Sequence, residues 1–175
     1  MNLGAAAVTD VEAKAVRAYR QIERMIVFGE LTAGALVSEA VIMTKTGLGR
    51  TPVREALQVL ARNRMVEIHP NRGVLIPAVS VEAELKLLEL RRVLEVLAVR
   101  LAAERARPAE RDEMLDMVER IERKGQTLVE YAATIKGTHD LIVAAARNEH
   151  LSDAMAPLQG LSRRFWLMHV VDEEA

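Results

Sequence analysis

With 175 residues, half of them apolar, the chain can bury one substantial core or two small ones, and it has no run of about 18 apolar residues that would predict a membrane span. No signal peptide is predicted at the N-terminus, and the absence of cysteine excludes disulfides and thiolate metal sites, which fits a cytoplasmic protein. A net charge of −1 and only five aromatic residues argue against a strongly basic nucleic-acid binder and against a stacking surface for single strands.

The charge is unevenly distributed along the chain. Residues 1–79 carry 10 Lys and Arg against 7 Asp and Glu, a balance of +3, whereas residues 80–175 carry 14 against 18, a balance of −4. The excess of positive charge in the first part is small. Binding to nucleic acid would therefore depend on where its cations lie and on their doubling by dimerisation.

The first elements are predicted from helical spacing and capping residues. Residues 1–9 are small and without a pattern, and a disordered tail is predicted there. Apolar residues then recur at helical spacing over residues 11–28, with arginines between them, which predicts an amphipathic helix. After a loop and a very short strand at residues 36–37, Ser38 is placed to cap a second helix that ends at Thr46, before a glycine.

The stretch GRTPVREALQVLAR, residues 49–62, predicts a third helix with two distinct faces. At about 100° per residue, one arc holds Val53, Ala56, Leu57 and Leu60, and the other holds Arg50, Thr51, Arg54, Gln58 and Arg62. Two arginines one turn apart at the start of a helix suit entry into a DNA major groove, since the rigid guanidinium fork binds guanine or phosphate through two hydrogen bonds. A surface helix with solvated arginines is the alternative.

Two short β-prone runs follow at residues 65–68 and 74–76, and the Pro, Asn and Gly between them are turn residues. They predict a hairpin whose tip presents Arg72 beside Gly73, where a backbone can approach phosphates or enter a minor groove. A helix-turn-helix followed by a hairpin makes a winged helix, which is predicted for residues 10–79. An ordinary surface hairpin is the alternative.

From residue 80 to 175 no strand pattern occurs, and an all-helical antiparallel bundle is predicted. Its helices are expected at residues 81–106, 109–124, 128–147 and 149–171. Thr127 with Glu130 predicts a capping box for the third of them, and Pro157 with Gly160 predicts a kink or a break in the last. The predicted fold class is therefore mainly α, an N-terminal winged helix-turn-helix followed by a helical bundle.

The run RTPVREAL followed by PNRGVLI resembles the GntR family of bacterial transcription regulators, and LELRRVLEVLAVRLAAERA with THDLIVAAARNEHL resembles the all-helical, ligand-binding FCD domain of its FadR subfamily. The similarity covers about residues 11–171. It implies a homodimeric transcription factor that binds a palindromic operator in double-stranded DNA. It also implies control by a small-molecule effector, and a small acidic metabolite, a carboxylate, is the class expected.

Together with the helix faces and the hairpin, this resemblance gives the predicted DNA-binding residues Arg50, Thr51, Arg54, Gln58, Arg72 and Gly73. Two positions depart from the family. Gly49 stands where members often have Ser or Thr, and Ala40 aligns with an arginine that some members use. Because both departures remove phosphate or base contacts, the operator sequence cannot be carried over.

Many FCD domains are similar in holding a divalent metal through one Asp and three His. His139 matches the first His, but Ile135 stands four residues earlier where the Asp is expected, and the other two ligands belong to helices that would follow residue 171. The expected domain is therefore incomplete, and His139 is the sole candidate for a metal ligand. Arg91 matches an arginine that faces the effector pocket, so Arg91 and His139 are the predicted ligand-binding residues. A solvated arginine and a core histidine are the alternatives.

Two further functions remain open from the sequence. His139, Asp140 and His150 could form the centre of a metal-dependent hydrolase. The sequence shows no nucleophile–base pair and no Gly-rich phosphate loop, so no enzyme is predicted. The other is a helical oligomerisation or interaction protein, whose winged helix binds protein and whose sensor domain no longer binds a ligand.

Overall fold

The computed structural model describes residues 3–173, with side chains from residue 13 to 169. In chain order its elements are α1 (Leu3–Val27), β1 (Leu36–Val37), α2 (Glu39–Thr46), α3 (Arg50–Arg62), β2 (Glu67–His69), β3 (Gly73–Leu75), α4 (Val81–Arg105), α5 (Pro108–Glu122), α6 (Leu128–Ala145) and α7 (Glu149–Glu173). This confirms the mainly α fold class. The chain forms two compact units: residues up to Glu84 together with those from Gly160 onward make the first, and residues from Leu85 to Gln159 make the second.

Helix α1 begins earlier than the amphipathic pattern indicated. The sequence predicted a disordered tail over residues 1–9, whereas the backbone is helical from Leu3 onward. The run of three alanines at residues 5–7 explains the difference, because alanine has the highest intrinsic helix propensity and forms helix without any apolar periodicity. The predicted disordered tail is therefore wrong for residues 3–9, which are helical.

Packing of α1 against α3 supplies most of the core of the first unit. The buried residues of the two helices include Ala18, Ile22, Met25 and Ile26 of α1 and Val53, Ala56, Leu57 and Leu60 of α3. The α3 residues are the apolar arc that the sequence predicted. Because each fully buried large aliphatic side chain stabilises the fold by roughly 1.5–3 kcal/mol, this packing fixes which face of α3 is turned outward.

The connection from α2 to α3 is a tight helix-turn-helix. Ser38 caps α2 as predicted, since its Oγ accepts a hydrogen bond from the Val41 N–H over 3.3 Å. Gly47 ends the helix at φ 66°, a left-handed conformation that glycine adopts at no steric cost. Only Leu48 and Gly49 separate Gly47 from α3, so the connection between the two helices is short.

A small antiparallel sheet completes the winged helix. The strand order is β1-β3-β2, with Leu36 paired to Leu75 and Ile68 paired to Val74. Val74 is fully buried at the centre of this sheet, whereas its neighbours are partly exposed. The sheet confirms the very short strand predicted before α2 and the hairpin predicted after α3.

The last part of α7 packs within the first unit through polar groups. Two hydrogen bonds and one ion pair join it to the rest of that unit. Ser162 donates a hydrogen bond to Glu84, Arg164 donates one to the Pro77 carbonyl, and Arg163 forms an ion pair with Glu23. Buried polar groups are costly unless hydrogen-bonded, so these pairs hold that part of α7 in one position. The predicted domain boundary near residue 79 stays a prediction, since the compact units follow these contacts and not the order of the chain.

A kink or a break was predicted at Pro157 and Gly160. Helix α7 is continuous, so there is no break. A proline inside a helix costs about 3 kcal/mol or more, because it removes one backbone hydrogen bond and crowds the preceding turn. Leu151, Met155 and Phe165 are buried on either side of Pro157, and their burial offsets that cost.

The second unit is entirely helical. One core cluster joins α4, α6 and the first part of α7, and its buried members are Ala98, Leu101, Val143, Ala146, Leu151 and Met155. The predicted capping box starts α6: the Thr127 N–H donates to Glu130 Oε2 over 2.9 Å, and the Glu130 N–H donates to Thr127 Oγ1 over 3.2 Å. In the described part of the chain, no helix has the length and hydropathy needed to cross a lipid bilayer.

Candidate nucleic-acid interface

The outward face of α3 carries the predicted arginines. Arg50 is the first residue of the helix, Arg54 follows one turn later, and both side chains are exposed, as are those of Thr51 and Gln58. Gly49 occupies the N-cap in an extended conformation and supplies no capping side chain. Pro52 has no N–H and the Val53 N–H donates to the Gly49 carbonyl over 3.3 Å, so the N–H groups of Arg50 and Thr51 are the ones left open in the first turn, beside two cations. This is the polarity that favours an anion at a helix start.

Arg54 makes one intramolecular ion pair. Its Nε donates to Glu39 Oε2 over 2.8 Å, and the two side chains are 57% and 29% exposed. Glu39 is the first residue of α2, so the pair joins the two helices of the helix-turn-helix on their outer side. The bond uses the Nε–H and leaves the terminal amino groups of the guanidinium without a partner in the described chain.

A cleft of about 550 Å³ lies between α3 and the hairpin. Its walls come from the start of α2, the middle of α3 and the hairpin loop, and its lining residues are Ser38, Glu39, Arg54, Leu57, Gln58, Ile68, His69, Pro70, Asn71, Arg72 and Gly73. The fold thus brings four of the predicted residues together: Arg54, Gln58, Arg72 and Gly73. Arg50 and Thr51 do not line the cleft and lie toward the start of α3.

The conformation of the hairpin tip explains why residue 73 is a glycine. Gly73 has φ 125°, and a Cβ built there would lie 2.7 Å from the Val37 carbonyl oxygen. A side chain is therefore excluded by the pairing of β3 with β1. Asn71 also has positive φ, at 60°, and Arg72 is exposed between the two with its N–H donating to the His69 carbonyl over 3.0 Å.

Glu39 and His69 line the same cleft and were not predicted. His69 Nε2 lies 3.6 Å from Glu67 Oε2, and among the described residues it forms no hydrogen bond. The position of His69 next to the predicted turn was the signal available for it. Glu39 gave no signal, because its pairing with Arg54 spans 15 residues and depends on how α2 and α3 pack.

The two predicted ligand-binding residues lie in the second unit. Arg91 of α4 is only 12% exposed, forms an ion pair with Glu95, and has a buried Nε with no hydrogen-bond partner in the described chain. His139 of α6 is half-buried and has a contact within the chain, and Ile135 lies one turn before it. Among the described residues, no three His, Asp or Glu side chains lie close enough to hold a metal ion.

Comparison with known proteins agrees with this architecture. Residues 14–76 match the family of bacterial regulatory proteins called gntR, and residues 86–175 match the FCD domain family. The chain belongs to the gntR family of regulators that carry an FCD domain. This confirms the family recognised from the two sequence motifs. Because that family consists of regulators, it also confirms that the chain is not an enzyme, and the hydrolase alternative is set aside.

Two curated relatives of this gntR-family chain are themselves described as HTH-type transcriptional regulators. YdhC from Bacillus subtilis (strain 168) is 25% identical over 146 residues, which is 82% of this chain and 65% of that protein. A regulator in an unstable DNA locus of Streptomyces ambofaciens is 26% identical over 142 residues, 81% of this chain and 60% of that protein. The chain thus spans somewhat less than two thirds of the length of these relatives.

Solved structures support the fold of the gntR-family chain. E. coli McbR/YncC has a TM-score of 0.75 at 21% identity, covering 91% of this chain and 76% of that one. A GntR protein from Rhodococcus sp. RHA1 has a TM-score of 0.64 at 21% identity, covering 89% and 75%. At this level of identity, the likeness extends to the arrangement of helices and strands.

Proposed function

We propose that this protein is a DNA-binding transcription regulator of the FadR subfamily, which acts in the cytoplasm as a homodimer on a palindromic operator. A small acidic metabolite bound in the second unit would control it. The observation that carries the proposal is the exposed pair of arginines at the start of α3, held outward by the burial of the opposite face. Binding to duplex DNA then follows from the shape and chemistry of this surface.

The α3 face supports reading of base edges in a major groove. Arg50 and Arg54 are exposed on neighbouring turns, and a guanidinium fork matches the O6 and N7 acceptors of guanine. Gln58 lies one further turn along and is suited to adenine, which presents one donor and one acceptor in that groove. Residues at the start of a recognition helix are those that contact bases in helix-turn-helix complexes.

The hairpin supports contact with the DNA backbone. Arg72 is exposed at the tip of the hairpin, where its guanidinium is open to a phosphate. Arg54 and Arg72 line the two sides of one cleft, so a single DNA segment could contact both. Arg72 therefore contributes to the affinity for DNA through a phosphate contact, whereas Arg54 contributes to sequence specificity through a base contact.

The charge balance supports a homodimer and hence a palindrome. Residues 1–79 carry only three more basic than acidic residues, which is a small footprint for binding a polyanion. Two copies related by a twofold axis double that charge and present two α3 helices to two half-sites. A symmetric protein pair matches a symmetric operator.

Arg91 supports an acidic effector. Its guanidinium is mostly buried, and its inaccessible Nε–H lacks an acceptor, so its hydrogen-bonding capacity is not fully used by Glu95. A carboxylate would supply a further acceptor in a position sheltered from water. His139 is the second proposed ligand contact, and by linkage an effector that changes operator affinity must have its own affinity changed by the operator to the same degree.

The proposal is tested by selecting bound duplexes from a random-sequence DNA library with the purified chain. We expect recovery of a palindromic sequence whose half-sites are separated by one or more turns of the double helix. Small carboxylates are then added singly, and one of them should change the affinity for the selected duplex. Failure to enrich any sequence, with the fold intact by circular dichroism, would contradict the proposal.

A further inference from the structure

His69 ends strand β2 and lines the cleft between α3 and the hairpin. Its carbonyl accepts a hydrogen bond from the Arg72 N–H over 3.0 Å, across a turn made by Pro70 and Asn71. Asn71 lies at φ 60°, and a proline followed by a residue of positive φ is typical of a type II turn. Because a β-turn brings its first and last Cα atoms within about 7 Å, His69 and Arg72 lie close together in the hairpin.

The imidazole of His69 is only partly satisfied by contacts within the protein. Its Nε2 is buried and makes no hydrogen bond with the described part of the chain, and Glu67 Oε2 lies 3.6 Å from it. The side chain as a whole is still 43% exposed, so a group outside the protein can reach it. A neutral imidazole donates from one nitrogen and accepts at the other, whereas an imidazolium donates from both. In its charged form, His69 can therefore pair with an anion at this surface.

The other charged residues that line the cleft nearly cancel. Arg54 comes from α3, Arg72 from the hairpin loop and Glu39 from α2, so two basic residues against one acidic residue give a balance of +1. An imidazolium at position 69 would raise that balance to +2. Affinity for DNA rises with each cation that contacts a phosphate, because each contact releases condensed counterions. Protonation of this one side chain would thus change the attraction between the cleft and DNA substantially.

The groups around His69 act on its charge in opposite directions. In the free chain the guanidinium groups of Arg54 and Arg72 disfavour an imidazolium, whereas Glu67 on β2 and Glu39 on α2 favour it. Bound DNA would change this balance, because its phosphates neutralise the arginines and bring further negative charge to the cleft. The bound state would then hold the extra proton more firmly than the free state. By linkage, DNA binding must strengthen as the pH falls.

We propose that His69 in its protonated form is a DNA-contacting residue, which binds a backbone phosphate beside Arg72. Each subunit takes up a proton as it binds DNA, so acidification strengthens operator binding. Imidazole is suited to this role, since its charge ordinarily changes between about pH 5 and pH 8. The inference rests on the proposed DNA-binding function and adds a dependence on pH to it.

Anisotropy titrations with the selected duplex at a series of pH values test the proposal. The wild-type chain should bind about fivefold or more tightly at about pH 6 than at about pH 8, since a dimer gains two phosphate contacts. His69→Gln keeps a hydrogen-bonding side chain without the charge, so at both pH values it should bind like wild type at pH 8. His69→Arg carries a permanent charge, so at pH 8 it should bind at least as tightly as wild type at pH 6.

His69 is the only histidine among residues 1–79, which makes the assignment of a pH effect direct. His150→Gln, at an exposed position of α7, is the matched control and should keep the wild-type pH profile. Salt titrations give a second readout that a purely structural role would not change. The slope of log affinity against log salt concentration should be steeper for wild type at pH 6 than at pH 8, by about 0.9 per subunit. In His69→Arg the steeper slope should persist at pH 8.

Circular dichroism at each pH checks that every chain is folded. Specific binding that is no tighter at pH 6 than at pH 8 would overturn this inference and leave the proposed function standing. A wild-type pH profile in His69→Gln would also overturn it, because the proton would then be taken up by another group. A folded wild-type chain that binds no duplex at either pH would overturn both the inference and the proposed function.

Discussion

Arg54 Nε donates a hydrogen bond to Glu39 Oε2 over 2.8 Å, and this pair links the second turn of α3 to the first residue of α2. The bond uses only the Nε–H, so the two terminal amino groups have no partner in the described chain, and Arg54 lines the cleft beside the hairpin. In the proposed DNA complex, Glu39 would thus restrain a long, flexible side chain for a bidentate contact. A carboxylate at this position also repels phosphate, which disfavours loose binding to the DNA backbone.

Glu39→Ala should therefore reduce discrimination more than stability. An exposed ion pair contributes about 0.2–1 kcal/mol, so the melting temperature should change little. The ratio of specific to non-specific affinity should fall several-fold, because Arg54 loses its restraint and the backbone loses a repelling charge. Anisotropy titrations with the selected operator and with a scrambled duplex measure this ratio. Glu55→Ala, an exposed carboxylate on α3, is the control. An unchanged ratio would show that Glu39 does not position Arg54.

Gly73→Ala should destabilise the first unit. The new Cβ would lie 2.7 Å from the Val37 carbonyl oxygen, at a φ of 125° that residues with side chains rarely adopt. We expect the free energy of unfolding to fall by about 1–3 kcal/mol, as measured by urea denaturation. Gly49→Ala is the matched control, because its φ is −71° and nothing lies within 4 Å of its Cβ position. Equal stability of the two variants would contradict the strand pairing described for β1 and β3.

The sequence predicted features that depend on residues close together in the chain, and it did not predict contacts between residues far apart. The apolar arc of α3, the Ser38 cap and the Thr127 capping box follow from local spacing, and all three are present. The pairing of Glu39 with Arg54 and of Arg164 with the Pro77 carbonyl joins residues far apart in the chain. Spacing rules contain no information on such contacts, so sequence analysis missed both.

The structure gives a second explanation for a residue that the family resemblance assigned to DNA contact. Gly73 was expected to face a minor groove, and the close approach of Val37 gives an independent, purely structural reason for a glycine there. A resemblance cannot separate these two reasons, because both produce the same residue. The DNA contacts of Arg50, Thr51, Gln58 and the other predicted residues stay predictions.

Glu110 at the start of α5 should make the stability of the second unit depend on pH. Its pKa is lowered from 4.5 to about 2, first by a hydrogen bond from the Arg107 side chain and then by the Arg107 backbone N–H, with a further contribution from Arg147. A carboxyl group with a depressed pKa in the folded state stabilises that state above its unfolded pKa. This stabilisation is lost as the pH falls through the folded pKa.

Glu110→Gln should therefore lower the melting temperature at pH 7, and its difference from wild type should shrink between about pH 4.5 and pH 2. Thermal unfolding followed by circular dichroism at a series of pH values measures this. Glu113→Gln, at an exposed position of the same helix, should show a much smaller difference. A Glu110→Gln difference that is constant over the whole range would mean that this carboxylate does not stabilise the helix start.

Arg72→Ala should weaken operator binding and make it less dependent on salt. Each phosphate contact contributes about 0.9 to the slope of log affinity against log salt concentration, so losing one contact per subunit should reduce the magnitude of the slope by about 2 in a dimer. Sequence preference should be unchanged. Arg120→Ala, which removes an exposed arginine from α5, should leave the slope as in wild type. An unaltered slope for Arg72→Ala would place the hairpin tip away from the DNA backbone.

Arg50 and Arg54 are proposed to read an operator from the exposed face of α3, and the affinity of Arg54→Ala for the selected duplex tests this most directly. Two base contacts per dimer, each worth about 1–3 kcal/mol, predict that anisotropy titration will show a loss of at least about 30-fold. Arg120→Ala should bind as wild type, and both variants should keep their melting temperatures within a few degrees. Wild-type affinity in a folded Arg54→Ala chain would contradict the claim.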